Sequence, residues 1–265
     1  MNIYLRELRS EMKGIFYWIL GTGLMLFASM ISFPMMTGSG VDMSEFMDAM
    51  PRSLMVLFGM NDLDVTSSMG YHGILMYYVI LAGIIYAAML GVRILSKEEL
   101  LKTSEFLLTK PRSRKSILLS KILAGTTLIL VFVLMVYLTS IISMELFGEP
   151  VPYHSELFKE IISLLLLMLL FYTFGIMAAA ILSKPKTSSN VTLSVVFVTF
   201  LLAIFYDLMD SPIILRIVTP FRYFPLADII EKNTLSIAYI LITLLLTIGM
   251  GLVSFLSYDK RDMNI

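Results

Sequence analysis

Long apolar runs dominate the chain, and short polar segments separate them. Six of these runs carry no charged residue in their middle and are long enough to cross a bilayer as helices, which takes about 20 apolar residues each. This pattern predicts an all-α polytopic membrane protein with one transmembrane domain over residues 1–265. The predicted crossings are residues 15–36, 69–95, 122–144, 161–182, 190–206 and 237–258.

The polar flanks of the crossings predict two further kinds of helix. Residues 1–14 place Leu5, Leu8 and Met12 on one face, which is typical of an amphipathic elbow helix that lies at the membrane surface. Residues 207–236 are too polar to span and too apolar for a free loop, and prolines interrupt them. We expect them to form broken re-entrant helices on the outer side, with protein covering their backbone.

Small residues recur every four positions in the second crossing, at Gly83, Ala87 and Gly91. Such a strip lets two helix backbones approach closely. It therefore predicts helix packing rather than chemistry.

A charge-dense connector, residues 96–121, separates the second and third crossings. Pro111 breaks it, and Ser113 can cap the helix that follows. We expect Arg114, Lys115 and Lys121 to reach phospholipid headgroups where the chain re-enters the membrane. The residues alone leave two interpretations open. The connector contains either a short helix whose apolar side docks on a partner protein, or an ordinary positively charged loop.

Charge distribution predicts the orientation of the chain. Fifteen of the 20 Lys and Arg residues fall on the side that holds the two termini and the connector. By the positive-inside rule, both termini and the connector lie in the cytoplasm, so we expect a multi-pass protein of the cell membrane.

Composition excludes several classes of function. The chain is 58% hydrophobic and 15% charged, with a mean hydropathy of +0.86, and its net charge of zero argues against nucleic-acid binding. It has no Cys and only two His residues, which excludes disulfides and makes a His-based metal site improbable. No P-loop motif occurs, so the chain does not hydrolyse ATP by that route.

No ionisable residue lies in the middle of a crossing, which disfavours both an intramembrane enzyme and a proton-coupled carrier. The energy for any transport would then have to come from outside the membrane part. Another protein acting on the connector is the simplest source.

In order along the chain, the connector carries Glu98, Glu99, Thr103, Glu105, Phe106, Leu107, Leu108, Pro111, Ser113, Arg114 and Lys121. This run resembles the coupling loop of ABC permeases of the type-2 (ABC-2) exporter class, in which a short helix sits in a cleft of a separate ATPase subunit. One departure is Lys102, where the family often has Gly before the Thr. The Pro220 segment also resembles the family's re-entrant region. The resemblance assigns ATPase coupling to Glu98, Glu99, Thr103, Glu105, Phe106, Leu107, Leu108, Lys110, Pro111, Ser113 and Arg114, and the outer re-entrant region to Pro220, Phe221, Tyr223 and Phe224.

This resemblance implies the permease subunit of an ATP-driven exporter. The chain itself would bind no cofactor, ATP and Mg would bind the partner ATPase subunit, and a second permease subunit, identical or similar, would complete the path. The uncharged crossings suit a hydrophobic or amphipathic cargo, and the family resemblance favours a membrane-active peptide. Candidate residues along the path are Met25, Met30, Met35, Met36, Tyr77 and Tyr78, although methionines can equally face lipid or other helices.

One rival function from another class is a membrane scaffold or sensor that transports nothing and whose cytosolic loop docks a signalling partner. The protein that co-purifies with the chain distinguishes the two. A P-loop ATPase indicates the exporter, whereas a kinase or no partner indicates the scaffold.

Overall fold

The structure, a computed structural model, describes residues 3–38, 47, 49–100, 113–182, 184–209 and 213–260. Within these ranges the chain forms α-helices, one 3-10 turn at Pro220–Arg222, and no strand. The helices are α1 Ile3–Gly38, α2 Arg52–Leu57, α3 Ser68–Leu100, α4 Arg114–Phe147, α5 His154–Ile181, α6 Pro185–Met209, α7 Ile213–Val218, α8 Leu226–Lys232 and α9 Ile237–Lys260.

Six of the described helices are long and apolar enough to cross a membrane: α1, α3, α4, α5, α6 and α9. This confirms the prediction of an all-α protein with six crossings. The sequence predicted a short fifth crossing, but α6 has 25 residues and starts at Pro185. Because the number of crossings is even, both termini lie at the same end of the bundle. We call it the terminal end and the opposite end the distal end.

The first helix differs from the sequence prediction. An elbow over residues 1–14 followed by a crossing was expected, but α1 is one continuous helix of 36 residues. The reason lies in its first turns, where the carboxylates of Glu7 and Glu11 pair with basic residues of α3. These ion pairs hold the start of α1 against the bundle, in line with the rest of the helix.

The centre of the bundle consists of α3 and α5. In the most hydrophobic stretch of each helix, 67% and 72% of the residues are buried, against 22% in α1 and α6 and 11% in α9. Helix α5 packs against α3 on one side and α9 on another, while α1 runs along α4. The outer helices therefore expose large apolar side chains, as expected of surfaces that face lipid or another membrane subunit.

Two glycines bring the backbones of α3 and α5 together. A Cβ atom added to Gly91 would lie 2.2 Å from the carbonyl oxygen of Tyr172. One added to Gly175 would lie 2.2 Å from the carbonyl oxygen of Ala88. No side chain fits at either position, which confirms the predicted role of the small-residue strip in helix packing.

Candidate functional site

A buried carboxylate joins helices α1, α3 and α4 at the terminal end of the bundle. Glu7 of α1 is fully buried. It forms an ion pair with Lys97 near the end of α3, and its Oε1 lies 3.7 Å from Nζ of Lys121 near the start of α4. Arg6 donates a hydrogen bond of 3.0 Å to the same oxygen. Since the predicted coupling loop connects α3 to α4, Glu7 holds both of its flanking helices.

Neighbouring contacts strengthen this junction. The Nζ group of Lys97 donates a hydrogen bond of 2.6 Å to Oγ of Ser10. A guanidinium nitrogen of Arg93 lies 3.2 Å from a carboxylate oxygen of Glu11. On the α4 side, Ile117 is buried in contact with Ile3. Both flanks of the loop are therefore fastened to α1 through polar and apolar contacts.

Lys121 corrects one expectation from the sequence. Its position next to the third crossing predicted contact with phospholipid headgroups, but its side chain is fully buried. The ammonium group faces Glu7 and donates a hydrogen bond to the carbonyl oxygen of Ile94 on α3. A buried lysine requires such partners, because an isolated charge away from water is very costly.

The predicted coupling residues fall only partly within the described chain. Ser113 caps α4, since its Oγ accepts a hydrogen bond of 3.3 Å from the N–H of Ser116, and Arg114 begins the helix. This confirms the predicted cap. Glu98 and Glu99 lie in the last turn of α3, and their side chains are outside the described part of the structure. The remaining predicted residues also lie outside it: Thr103, Glu105, Phe106, Leu107, Leu108, Lys110 and Pro111.

At the distal end, the segment between α6 and α9 folds over the spanning helices. The ring of Phe221, in the 3-10 turn that Pro220 begins, lies 5.4 Å from Phe200 of α6. Tyr223 stacks on Tyr239 of α9 with centroids 5.0 Å apart, and Phe224 is buried in the core. The predicted distal residues therefore join this segment to the bundle.

The candidate path residues do not share one surface. Met30 is fully buried, Met25 is half-buried beside an apolar groove of α1, and Met35 is 72% exposed. Met36 is half-buried as well. Their role in transport stays a prediction. The hydroxyl of Tyr78 donates a hydrogen bond of 3.1 Å to the Phe58 carbonyl, and Tyr77 borders a cavity at the distal end.

Two adjoining cavities open at the distal end. The inner one has a volume of about 50 Å³, lies between α3, α5 and α6, and has mainly apolar walls. The outer one has a volume of about 370 Å³ and is lined mainly by charged side chains. Asp207 and Arg222 form an ion pair and line both cavities. Burial lowers the pKa of the Arg222 guanidinium, while nearby carboxylates and tyrosines oppose this shift.

A buried histidine and a buried glutamate meet between α3 and α5. Nδ1 of His72 lies 3.0 Å from Oε2 of Glu160, and both side chains are fully buried. The two residues lie near the distal ends of their helices, at the edges of the predicted second and fourth crossings. The prediction that the middle of each crossing lacks ionisable residues did not reveal that these two residues pair.

Comparison with known families assigns the chain to one of them. The family model described as ABC-2 family transporter protein matches residues 1–263. The chain belongs to this family. The match covers nearly the whole sequence and confirms the family that the connector suggested. A search of curated proteins finds no match.

Membership makes this ABC-2 chain a multi-pass membrane component of a transporter, and it implies partnership with an ABC ATPase subunit. Sequence reasoning predicted a coupling loop for this protein but missed the Glu7 junction between the two helices that flank it. A signal was present: Glu7 and Glu11 are spaced four apart on α1, and Arg93 and Lys97 are spaced four apart on α3. Residues at that spacing share a helix face, so two acids can meet two bases.

Proposed function

We propose that the chain is the permease subunit of an ATP-driven exporter and that a separate ATPase subunit works it through the loop between α3 and α4. The observation that carries this proposal is the Glu7 junction. Lys97 precedes the loop, Lys121 follows it, and both contact the same buried carboxylate of α1. A force on the loop therefore acts on three spanning helices at once.

The tight core supports a rigid transfer of that force. Close backbone contact between α3 and α5 at Gly91 and Gly175 leaves little room for sliding. A displacement at the terminal end would then move the pair as a body toward the distal end. Helices α6 and α9 would adjust more easily, because few of their residues are buried.

The partners follow from the family and from the exposed surfaces. ATP and Mg would bind the ATPase subunit and supply the energy, and this chain would bind no cofactor. A second permease subunit, a further copy or a similar chain, would pack on the apolar faces of the outer helices. The excess of basic residues at the terminal end supports a cytoplasmic location for both termini and the loop.

A hydrophobic or amphipathic molecule is the cargo that these surfaces suit best, and we favour a membrane-active peptide moved out of the cell or out of the inner leaflet. Large apolar side chains cover the outer helices, including Phe16 on α1, Phe197 on α6 and Leu245 on α9. A path between two subunits would be lined by residues of this kind. Sugars and small ions would find few polar partners there.

Glu105→Ala and Phe106→Ala test the coupling. Both variants should insert normally but lose most export of a fluorescently labelled amphipathic peptide in vesicles that also contain the ATPase subunit. Arg9→Ala is the matched control, since Arg9 is an exposed charged residue of the terminal end outside the loop. Wild-type export by both loop variants would refute the coupling role.

Purification in mild detergent tests the partner. An ATPase subunit should be recovered with the wild-type chain and with Arg9→Ala, and in lower yield with Glu105→Ala. Recovery of a signalling protein in place of an ATPase would indicate a scaffold or sensor and contradict the exporter.

The absence of cysteine in the sequence allows a clean test of orientation. Two single-cysteine variants are used: Ser113→Cys carries its thiol at the terminal end of the bundle, and Thr66→Cys carries its thiol at the distal end. A membrane-impermeant maleimide applied to intact cells should label Thr66→Cys and spare Ser113→Cys. The reverse pattern would place the loop outside the cell and overturn the proposal.

A further inference from the structure

The inner and outer cavities at the distal end form one amphipathic cleft, which we call the distal cleft. The two cavities share Asp207, Arg222, Pro225 and Ala227 as walls. The inner part is lined by apolar and aromatic side chains of the spanning helices, including Tyr77, Phe200 and Ala203. A ligand that fills both parts must combine a polar group with an apolar one.

The charges of the outer part are unequal. Its walls carry the acids Asp62, Asp207, Asp228 and Glu231 and the bases Arg216, Arg222 and Lys232.

Each base in these walls already has a partner. Arg222 pairs with Asp207, and Nζ of Lys232 lies 2.6 Å from Oδ1 of Asp228. Arg216 donates a hydrogen bond of 2.9 Å to the carbonyl oxygen of Arg222, and its guanidinium carbon lies 4.5 Å from the ring centroid of Tyr239.

Two acids in the outer part, Asp62 and Glu231, form no ion pair within 4 Å among the residues that the structure describes, although Asp62 acts on Arg222 and Glu231 on Lys232 at longer range. Asp62 accepts a hydrogen bond from the side-chain amide of Asn61, which leaves its negative charge in place. Because its walls carry four acids against three bases, the outer part of the cleft has an excess of one negative charge, which favours a cation.

We infer that the distal cleft binds a cationic nitrogen attached to an apolar chain. The ammonium group lies in the outer part between Asp62 and Glu231, and the first carbons of the chain enter the inner part beside Phe200. The Arg222 and Asp207 side chains line both parts, so a ligand that enters the inner cavity passes them.

This site lies within one subunit and needs no ATPase for binding. Its occupant is the cargo only if the proposed function holds, whereas binding itself requires only the purified chain. Failure to bind would therefore leave the coupling role of the loop intact, and failure of coupling would leave the binding site intact.

Native mass spectrometry of the purified chain tests the inference. The probe is tetradecyltrimethylammonium, and the matched control is tetradecyl sulfate, which has the same alkyl chain and an anionic head. The ammonium compound should bind at one molecule per chain at least about tenfold more tightly than the sulfate. Equal retention of the two compounds would overturn the inference.

Variants locate the site. Asp62→Asn with Glu231→Gln should weaken ammonium binding by about tenfold or more, because the two charges that attract it are removed. Asn is compatible with the positive φ of 62° at residue 62. Ala203→Leu should also weaken binding by filling the inner cavity. Glu156→Gln, an acid of the distal end outside the cleft, is the control and should bind as the wild type does.

Wild-type binding by both the double variant and Ala203→Leu would place the ligand elsewhere and refute the site. Two further samples distinguish whether the natural ligand with a cationic nitrogen and an apolar chain is a lipid or a peptide. An aminophospholipid that stays on the chain after extraction and is lost in the double variant identifies a lipid. A short amphipathic lysine peptide that competes with the ammonium probe in a lipid-free sample identifies a peptide.

Discussion

The two ends of the bundle each contain a fully buried carboxylate, but they partner it differently. Glu7 at the terminal end lies among three basic residues, two of them on other helices. Glu160 at the distal end faces a single histidine. The partners of Glu7 are lysine and arginine side chains, whereas the partner of Glu160 is an imidazole.

The difference suggests different mechanical roles. At the terminal end, ion pairs hold α1, α3 and α4 in one arrangement, as the proposed coupling role requires. At the distal end, His72 and Glu160 join only α3 and α5. Separating helices at the distal end would therefore break fewer buried contacts of this kind than at the terminal end.

Removing Glu7 should have the largest effect. Glu7→Ala leaves Lys97 and Lys121 near each other without their shared carboxylate, and breaking a buried pair in this way costs about 3–5 kcal/mol. The free energy of unfolding in detergent, measured by denaturant titration, should fall by this amount.

Glu11→Ala is the control for this measurement. Glu11 pairs with Arg93, but the two side chains are 12% and 38% exposed, so water screens the pair. The loss should stay below about 1 kcal/mol. Equal losses for the two variants would show that burial of Glu7 adds nothing to the free energy of unfolding. The contrast between the two ends of the bundle would then disappear.

The His72 and Glu160 pair should give a smaller effect. His72→Gln and Glu160→Gln should each cost about 1–3 kcal/mol, since each change leaves a buried polar group without its partner. A double-mutant cycle should give a coupling energy of about 0.5–3 kcal/mol. Strict additivity of the two changes would contradict direct pairing.

His154→Gln serves as the control for the distal end. His154 is exposed and contacts the ring of Tyr153 at a centroid distance of 4.4 Å. This surface change should alter the free energy of unfolding by no more than about 0.5 kcal/mol.

Gly175→Ala tests whether α3 and α5 connect the two ends of the bundle as a rigid pair. The added Cβ would lie 2.2 Å from the Ala88 carbonyl oxygen, so α3 and α5 must separate, at a cost of about 1–3 kcal/mol. Gly251→Ala on α9 is the control, because nothing lies within 4 Å of the added atom. Equal stability of the two variants would show that α3 and α5 are not rigidly packed.

Sequence reasoning predicted the six crossings because length and hydropathy alone decide whether a segment can span a bilayer. The Gly91 strip and the Ser113 cap were also predictable, since both depend on residues close together in the chain. The continuous course of α1 was not predicted, because ion pairs with a distant helix decide it.

The amino-acid sequence alone determined that this chain has six segments able to cross a membrane, contains no P-loop and resembles an ABC-2 permease. Only the tertiary structure decided which charged side chains are buried and which groups they pair with. It brought Glu7 to Lys121 and His72 to Glu160, pairs that are 114 and 88 residues apart in the chain. A charged side chain in a sequence has no fixed partner. Its partner is set when packing removes it from water and leaves one group within reach.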